Sequence, residues 1–314
     1  MLKIKAWIKL LTKDAYGDLF AYDGNSVYVF NGGESWSNLG LPNGVTQINA
    51  LSSDTLGNIF AATNAGVWTY SLANSTLAWS NIAGAAASGN FAAVQATVAT
   101  GASTNNIFAT NNSYSVNPAL LACTWASGGT CAWSSVFESS SQFNSQALAL
   151  ESNTFQYVAS GSSVWQNNNG VASVLLNESS VGTQAGPIGI DPVGLMYVSF
   201  HNTLMNLLTP AVFSNSSGSG VLTPLSSLSG QALSGAANGV ALQSISYNGA
   251  SYAGVAGYGS NTLTSSDFTG TVPLAYMLLS YSGTTPTATT NWVPISGING
   301  TINSVVFASM LTSY

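Results

Sequence analysis

Basic residues are almost missing from this chain. Four of its 314 residues carry a positive charge, all are lysines, and all lie at one end: Lys3, Lys5, Lys9 and Lys13. From Asp14 to Tyr314 there is no lysine or arginine, whereas all ten acidic residues lie in that stretch. Phosphate neutralisation depends on those cations, so nucleic acid is excluded as a partner of the body. The single histidine, His201, and the two cysteines, Cys123 and Cys131, make no cluster with the spacing of a zinc site. No G-x-S-x-G elbow and no phosphate-binding glycine loop occurs, so neither a serine-hydrolase elbow nor a nucleotide cradle is expected. No run of 18 apolar residues appears, and no membrane-spanning helix is expected. Charged residues are 4% of the chain, so solubility must come from Ser, Thr, Asn, Gln and Gly.

The leader, "MLKIKAWIKLLTK", has the lysines of a secretion signal but neither an unbroken apolar core nor a small-residue cleavage site. Leu2, Ile4, Ala6, Ile8 and Leu10 alternate with Lys3, Lys5, Trp7 and Lys9, the period of a strand with one apolar face. A short helix lying on a membrane surface is the competing reading. Cys123 and Cys131 flank a Ser-Gly-Gly turn between two short strands. In an oxidising compartment such facing positions form a disulfide; otherwise they are two buried thiols.

What is present is a repeat. Asp54-x-x-Gly57 runs into "NIFAAT", Asp14-x-x-Gly17 into "DLFAY", and Asp191-x-x-Gly194 into "LMYVS", with looser copies around Phe108, Tyr157 and Tyr252. These landmarks are spaced by 40 to 55 residues. A second piece closes each unit: "SWSNLG" at Trp36, "AWSNIAG" at Trp79, "AWSSVFE" at Trp133 and "NWVPISG" at Trp292. "ASVLLNE" near Leu175 and "VLTPLSSL" near Leu222 fill the same place without tryptophan. A third piece, such as "GVTQINALSSD", opens each unit, giving about four strands per repeat.

Four strands at such a period are the mark of a β-propeller blade. The first unit begins at its second strand, "DAYGDLFAY", and the chain ends on an unmatched opening strand, "GTINSVVFASM". The expectation is an all-β, six-bladed β-propeller over residues 14–314, its first blade closed by strands from both termini, preceded by a basic strand-like extension, residues 1–13. Asp54, Gly57, Ile59, Phe60, Thr63, Gly66, Val67 and Trp68 resemble the propeller repeat of two-component regulators. "NGGESW", from Asn31 to Trp36, resembles a degenerate Asp-box of the BNR repeats of sialidase-like propellers. Those sialidases hold a substrate carboxylate with arginines, and this chain has none. Residues 212–240, rich in Ser and Gly, read as a long loop around one short strand, and residues 259–291 also exceed an ordinary blade.

Site chemistry is sparse. Asp14, Asp54 and Asp191 occupy equivalent turns, where an aspartate caps its own backbone; calcium ligation and catalysis are the competing roles. Trp36, Trp79, Trp133 and Trp292 recur once per repeat and are expected in the packing between blades. Trp68, Trp125 and Trp165 fall outside that register and are the candidates for a ligand-binding surface. Asn74, Asn111, Asn177, Asn215 and Asn299 lie in glycosylation sequons. No catalytic residue, cofactor or metal is expected.

The charge-poor composition resembles that of surface and virion proteins of thermoacidophilic archaea. Removing cations limits self-repulsion where carboxylates are protonated; escape from trypsin-like proteases outside the cell is the other explanation. The function expected first is therefore an extracellular structural or adhesive subunit of a filament, surface layer or virion, without catalysis. In it, Lys3, Lys5, Lys9 and Lys13 help residues 2–11 to join a neighbour's sheet edge. A glycan- or peptide-binding propeller of lectin or sensor type is the alternative, and a glycosidase or lyase the second alternative.

Overall fold

The computed structural model describes residues 8–14, 16–31, 35–54, 56–71, 78–82, 89–98, 104–111, 120–126, 128–137, 145–150, 155–160, 163–177, 183–190, 196–202, 207–213, 222–224, 237–247, 250–282, 285–288, 291–298, 300–302 and 305. Among them there are strands and turns and no helix. By compactness the chain falls into two units, Met1–Gln156 with Gln166–Ser173, and Tyr157–Trp165 with Val174–Tyr314.

The strands follow one another in antiparallel sheets, each in chain order. The first holds β1 (Leu10–Lys13), β2 (Leu19–Tyr22), β3 (Val27–Phe30) and β4 (Trp36–Gly40). The second holds β5 (Ile48–Ser53), β6 (Asn58–Thr63), β7 (Gly66–Ser71) and β8 (Trp79–Asn81). The third holds β9 (Phe91–Val98), β10 (Thr104–Asn111), β11 (Leu120–Ala126) and β12 (Ser134–Phe137). A fourth is formed by β13 (Ser145–Leu150), β14 (Phe155–Ser160), β15 (Ser163–Asn168) and β16 (Val171–Asn177). A fifth is formed by β17 (Thr183–Ile190), β18 (Met196–Asn202), β19 (Leu207–Phe213) and β20 (Leu222–Pro224). In the last, β21 (Ala237–Tyr247), β22 (Ala250–Ser265) and β23 (Phe268–Ser282) pair in turn, and both β24 (Thr285–Ala288) and β25 (Val293–Pro294) pair with β23. The excess length expected at 259–291 is therefore largely strand: β22 and β23 run for 16 and 15 residues, with register shifts near Leu263.

The first sheet draws on the leader. Its opening strand is β1, taken from the leader: Leu10 lies opposite Tyr22 and Lys13 opposite Leu19, and the Lys9 N–H continues the ladder to Tyr22 O at 2.7 Å. The alternation that marked the leader as a strand also lets its end complete the nearest sheet, a local pairing with a short loop to close. Of the C-terminal segment assigned that place, residues 300–302 and 305 are described, with the Ile302 N–H bonded to Gly259 O at 2.9 Å, and residues 303, 304 and 306–314 lie outside the described residues.

The Asp-x-x-Gly turn shows why the unit repeats. Asp54 Oδ1 accepts the Leu56 and Asn58 N–H groups, both at 2.8 Å, and Asp14 Oδ1 accepts those of Tyr16 and Asp18, both at 2.9 Å. Each aspartate caps its own turn, as expected, and each is buried. Gly57 has φ +82, and a Cβ there would lie 2.8 Å from the Tyr16 ring, so only glycine fits. Asp191 lies outside the described residues. The turn feeds β6, buried along all six residues, which is what an unbroken apolar run produces in a strand covered on both faces. Phe20, Val29, Ile59 and Tyr70 form one core between the first two sheets, with Leu39 and Trp79 packed against it. Phe60, Val67, Ile82, Phe91, Ile107, Leu121 and Trp125 belong to the next, where Trp133 joins them. Each fully buried aromatic or branched side chain contributes roughly 1.5–3 kcal/mol.

Candidate functional site

Two of the closing tryptophans lock one sheet to the one before it. Trp79, at the start of β8, donates its Nε1–H to Leu39 O in β4 at 3.2 Å and meets Tyr70 edge-on at 5.3 Å. Trp133, just before β12, donates to Ile82 O at 3.0 Å and lies 6.5 Å from the Phe91 ring. Leu39 and Ile82 are equivalent residues, each third after a closing tryptophan, in Trp36-Ser-Asn-Leu39 and Trp79-Ser-Asn-Ile82. Indoles thus fill two successive wedges between sheets, with their single N–H satisfied by a backbone carbonyl.

The next wedge is open. A cleft of about 390 Å³ is lined by Asn106, Phe108, Ala122, Thr124, Ser134 and Val136 of the third sheet and by Asn167, Asn169 and Gly170 of the hairpin that joins β15 to β16. Val136 is third after Trp133 and so stands where Leu39 and Ile82 stand, but the closing strand that follows, β16, has no tryptophan. Asn169 and Gly170, with φ of 50° and 86°, make the left-handed pair that an Asn-Gly hairpin turn needs, and this tight turn sets the cleft's wall. Val171, beside it, is 69% exposed.

Among the described residues the lining carries no charge, and one side chain has an unmet hydrogen bond. Asn167 is 2% exposed, and its Nδ2 donates to Gln156 Oε1 at 2.5 Å. That bond fixes the amide and leaves Oδ1 buried with no hydrogen-bond partner. A buried acceptor without a donor costs roughly 1–3 kcal/mol. Opposite, Thr124 Oγ1 donates to Asn106 Oδ1 at 3.0 Å, while Phe108, Ala122 and Val136 offer apolar surface. The described lining thus combines apolar surface with uncharged hydrogen-bonding groups.

The residues singled out from sequence fall in various places. Cys123 and Cys131 are disulfide-bonded, their Cα atoms 5.6 Å apart, and Cys123 reaches the cleft. Trp125 is not a surface candidate: it is 1% exposed, donates Nε1–H to Gly129 O at 2.9 Å and packs edge-on against Phe60. Its side chain points into the wedge with the second sheet, which its position outside the tryptophan register concealed. Trp68 is half-buried with Nε1–H bonded to Ala65 O, and Trp165 is half-buried in β15; neither lines the cleft. Trp36 packs on Phe30 at 5.2 Å, and Trp292 is buried with its backbone N–H on Asp267 Oδ2 at 2.9 Å; the indole Nε1 of each is buried without a hydrogen-bond partner. His201 sits in β18 opposite Gln184 and Leu208. Lys13 belongs to β1, where burial pushes its ammonium below the usual lysine range, and the Lys9 side chain lies close against Gly24. Leu10 and Leu11 pair with Tyr22 and Ala21 of their own chain. Asn111 ends β10 and Asn177 ends β16; Lys3, Lys5, Asn74, Asn215 and Asn299 lie outside the described residues. Asn106, Phe108, Ser134, Val136 and Asn167 were missed, although the tryptophan-free fourth closing piece was a visible signal.

No protein-family model matches the sequence, and no curated protein matches it. Solved structures do. The extracellular domain of the hybrid two-component system BT3049 from B. thetaiotaomicron is similar over 96% of this chain, at 12% identity and a TM-score of 0.57. An ancestral GH74 enzyme is similar over 92%, at 14% identity and a TM-score of 0.62. This chain spans 36% and 38% of the length of those two. A streptogramin B lyase is similar over 88% of this chain and 84% of its own, at 10% identity and a TM-score of 0.56. The fold is all-β and β-propeller-like, in agreement with the resemblance to two-component-regulator repeats.

Proposed function

We propose that this chain is an extracellular recognition module, a ring of six blades that binds a neutral glycan or peptide in the cleft between the third sheet and the β15–β16 hairpin, without catalysis. The observation that carries the reading is the cleft itself, about 390 Å³ with Phe108, Ala122 and Val136 beside Asn106, Thr124 and Ser134, and no charge among the described lining residues. The disulfide supports an oxidising, extracellular setting. A sensor domain among the similar structures is consistent with recognition; a GH74 enzyme and a lyase there show that the same fold also serves catalysis. Glycoside hydrolysis needs two carboxylates about 5–10 Å apart. No carboxylate is among the described residues that line the cleft. The filament or virion role expected first gains no support from the comparisons, and β1 uses within the chain part of the strand on which that role relied.

An array of neutral glycans and peptides, probed with the purified oxidised chain, tests the proposal. Binding that Ala122→Trp or Asn167→Leu removes, with the fold retained by circular dichroism, is the expected result. An empty array, or binding that both substitutions leave intact, overturns it.

A further inference from the structure

Resting on the recognition reading, we infer that the cleft is an open tryptophan socket, and that the group it takes is the indole side chain of a partner peptide. The chain itself contains two filled copies of the socket. In the first, Phe20 and Leu39 receive Trp79, whose N–H is held by Leu39 O. In the second, Phe60 and Ile82 share a core with Trp133, whose N–H is held by Ile82 O. Phe20, Phe60 and Phe108 are equivalent landmarks of the repeat, as are Leu39, Ile82 and Val136. Phe108 and Val136 line the cleft, so the third socket has the same apolar floor and lacks the ring.

The wall that closes this socket differs from the other two in one respect. Asn167 contributes an amide whose nitrogen is engaged by Gln156 and whose oxygen is not engaged at all. An indole brings a flat apolar body and one donor: by analogy with the two filled copies its ring would lie on Phe108, Ala122 and Val136 and its N–H on the carbonyl of Val136, the residue in the place of Leu39 and Ile82. A sugar ring brings several hydroxyls, most of which would meet that apolar surface unpaired, at a cost each. The peptide, not a free indole, is favoured by volume: about 390 Å³ exceeds one ring, and Thr124, Ser134 and Asn169 at the polar end can bond a peptide backbone.

Fluorine NMR of the whole oxidised chain titrated with N-acetyl-5-fluorotryptophanamide tests the socket. A saturable shift is expected, weakened about tenfold in the N1-methyl analogue because its donor is gone. N-acetylphenylalaninamide should compete at least as poorly. Free 5-fluoroindole should bind more weakly than the amide; equal binding would overturn the assignment to a peptide. Equal affinity of the parent and N1-methyl compounds, or no shift at all, overturns the socket. Ala122→Trp should abolish the shift; because that variant can misfold, the ligand series on the unaltered chain stands as the independent criterion. A chain that binds neutral glycans through the cleft yet gives no shift keeps the recognition role and loses the indole. A chain that binds neither loses both.

Discussion

Replacing Asp18 by asparagine should make the protein more stable at neutral pH. Asp14 and Asp54 open the same turn in the first two sheets, but their second carboxylate oxygens differ. Asn58 Nδ2 donates to Asp54 Oδ2 at 2.6 Å, whereas Asp14 Oδ2 is buried and without a partner. The residue in the place of Asn58 is Asp18, which cannot donate when ionised. Burial, and then the charge of Asp14, hold the Asp18 carboxyl above the ordinary carboxylate range. Asp18→Asn supplies the missing amide and removes the repulsion. A hydrogen bond to a charged group contributes about 1.5–3 kcal/mol, and solvent exposure of residue 18 lowers the expectation to about 1 kcal/mol. The pH dependence has a definite sign. A carboxyl whose folded pKa is raised adds stability below its ordinary value of about 3.9 and loses it as pH rises through the raised value. The wild-type chain should therefore gain on the variant as pH falls toward 3. Urea unfolding at pH 7 and pH 3 measures both effects. Asn58→Asp, which breaks a buried pair, should cost about 2–3 kcal/mol at pH 7. The reasoning is refuted if Asp18→Asn destabilises at pH 7, or if its advantage is unchanged at pH 3.

Trp133→Phe should cost about 1–2 kcal/mol, since it leaves the Ile82 carbonyl unpaired and thins the wedge; an unchanged urea midpoint would mean that the indole N–H contributes nothing. Changing both Cys123 and Cys131 to serine opens a loop spanning 8 residues and should cost about 2.5 kcal/mol by loop-closure entropy, read as a lower midpoint than that of the oxidised chain. Tyr258 has its phenol pushed up to about 12 by burial, so it should stay neutral in an alkaline absorbance titration while exposed tyrosines ionise near 10. Its contribution to stability is whole below pH 10 and declines as pH rises toward 12; ionisation of Tyr258 near 10 in the folded chain would contradict its burial.

The parts of the fold that were legible in sequence are those whose cause is local. Asp54 and Gly57 announce their turn because the aspartate bonds backbone two and four residues on and the glycine alone tolerates the dihedral. Trp79 and Trp133 announce their packing because they recur at one place in the repeat. Trp125 was misjudged because nothing in its neighbours says which face of β11 it occupies; only the register with β10 and the presence of Phe60 opposite decide that. The cleft was hidden for a further reason. It is made by a residue that is not there, and the effect of a missing tryptophan depends on whether the flanking sheets close over the gap. The Asn-Gly turn at 169 and 170 holds the gap open, and Asn167 becomes an orphan only because Gln156 takes its other end.

The indoles of Trp79 and Trp133 both reach backward along the polypeptide. During synthesis each wedge can thus fasten to one already released from the ribosome, without waiting for anything downstream. The first two sheets can be joined once Ile82 has emerged, and the third added once Cys131 and Trp133 have followed. Growth of the structure is in this sense one-way, like a zip drawn from the amino end, and a nascent chain stalled once about 90 residues are outside the ribosome should already protect its first two sheets from proteolysis.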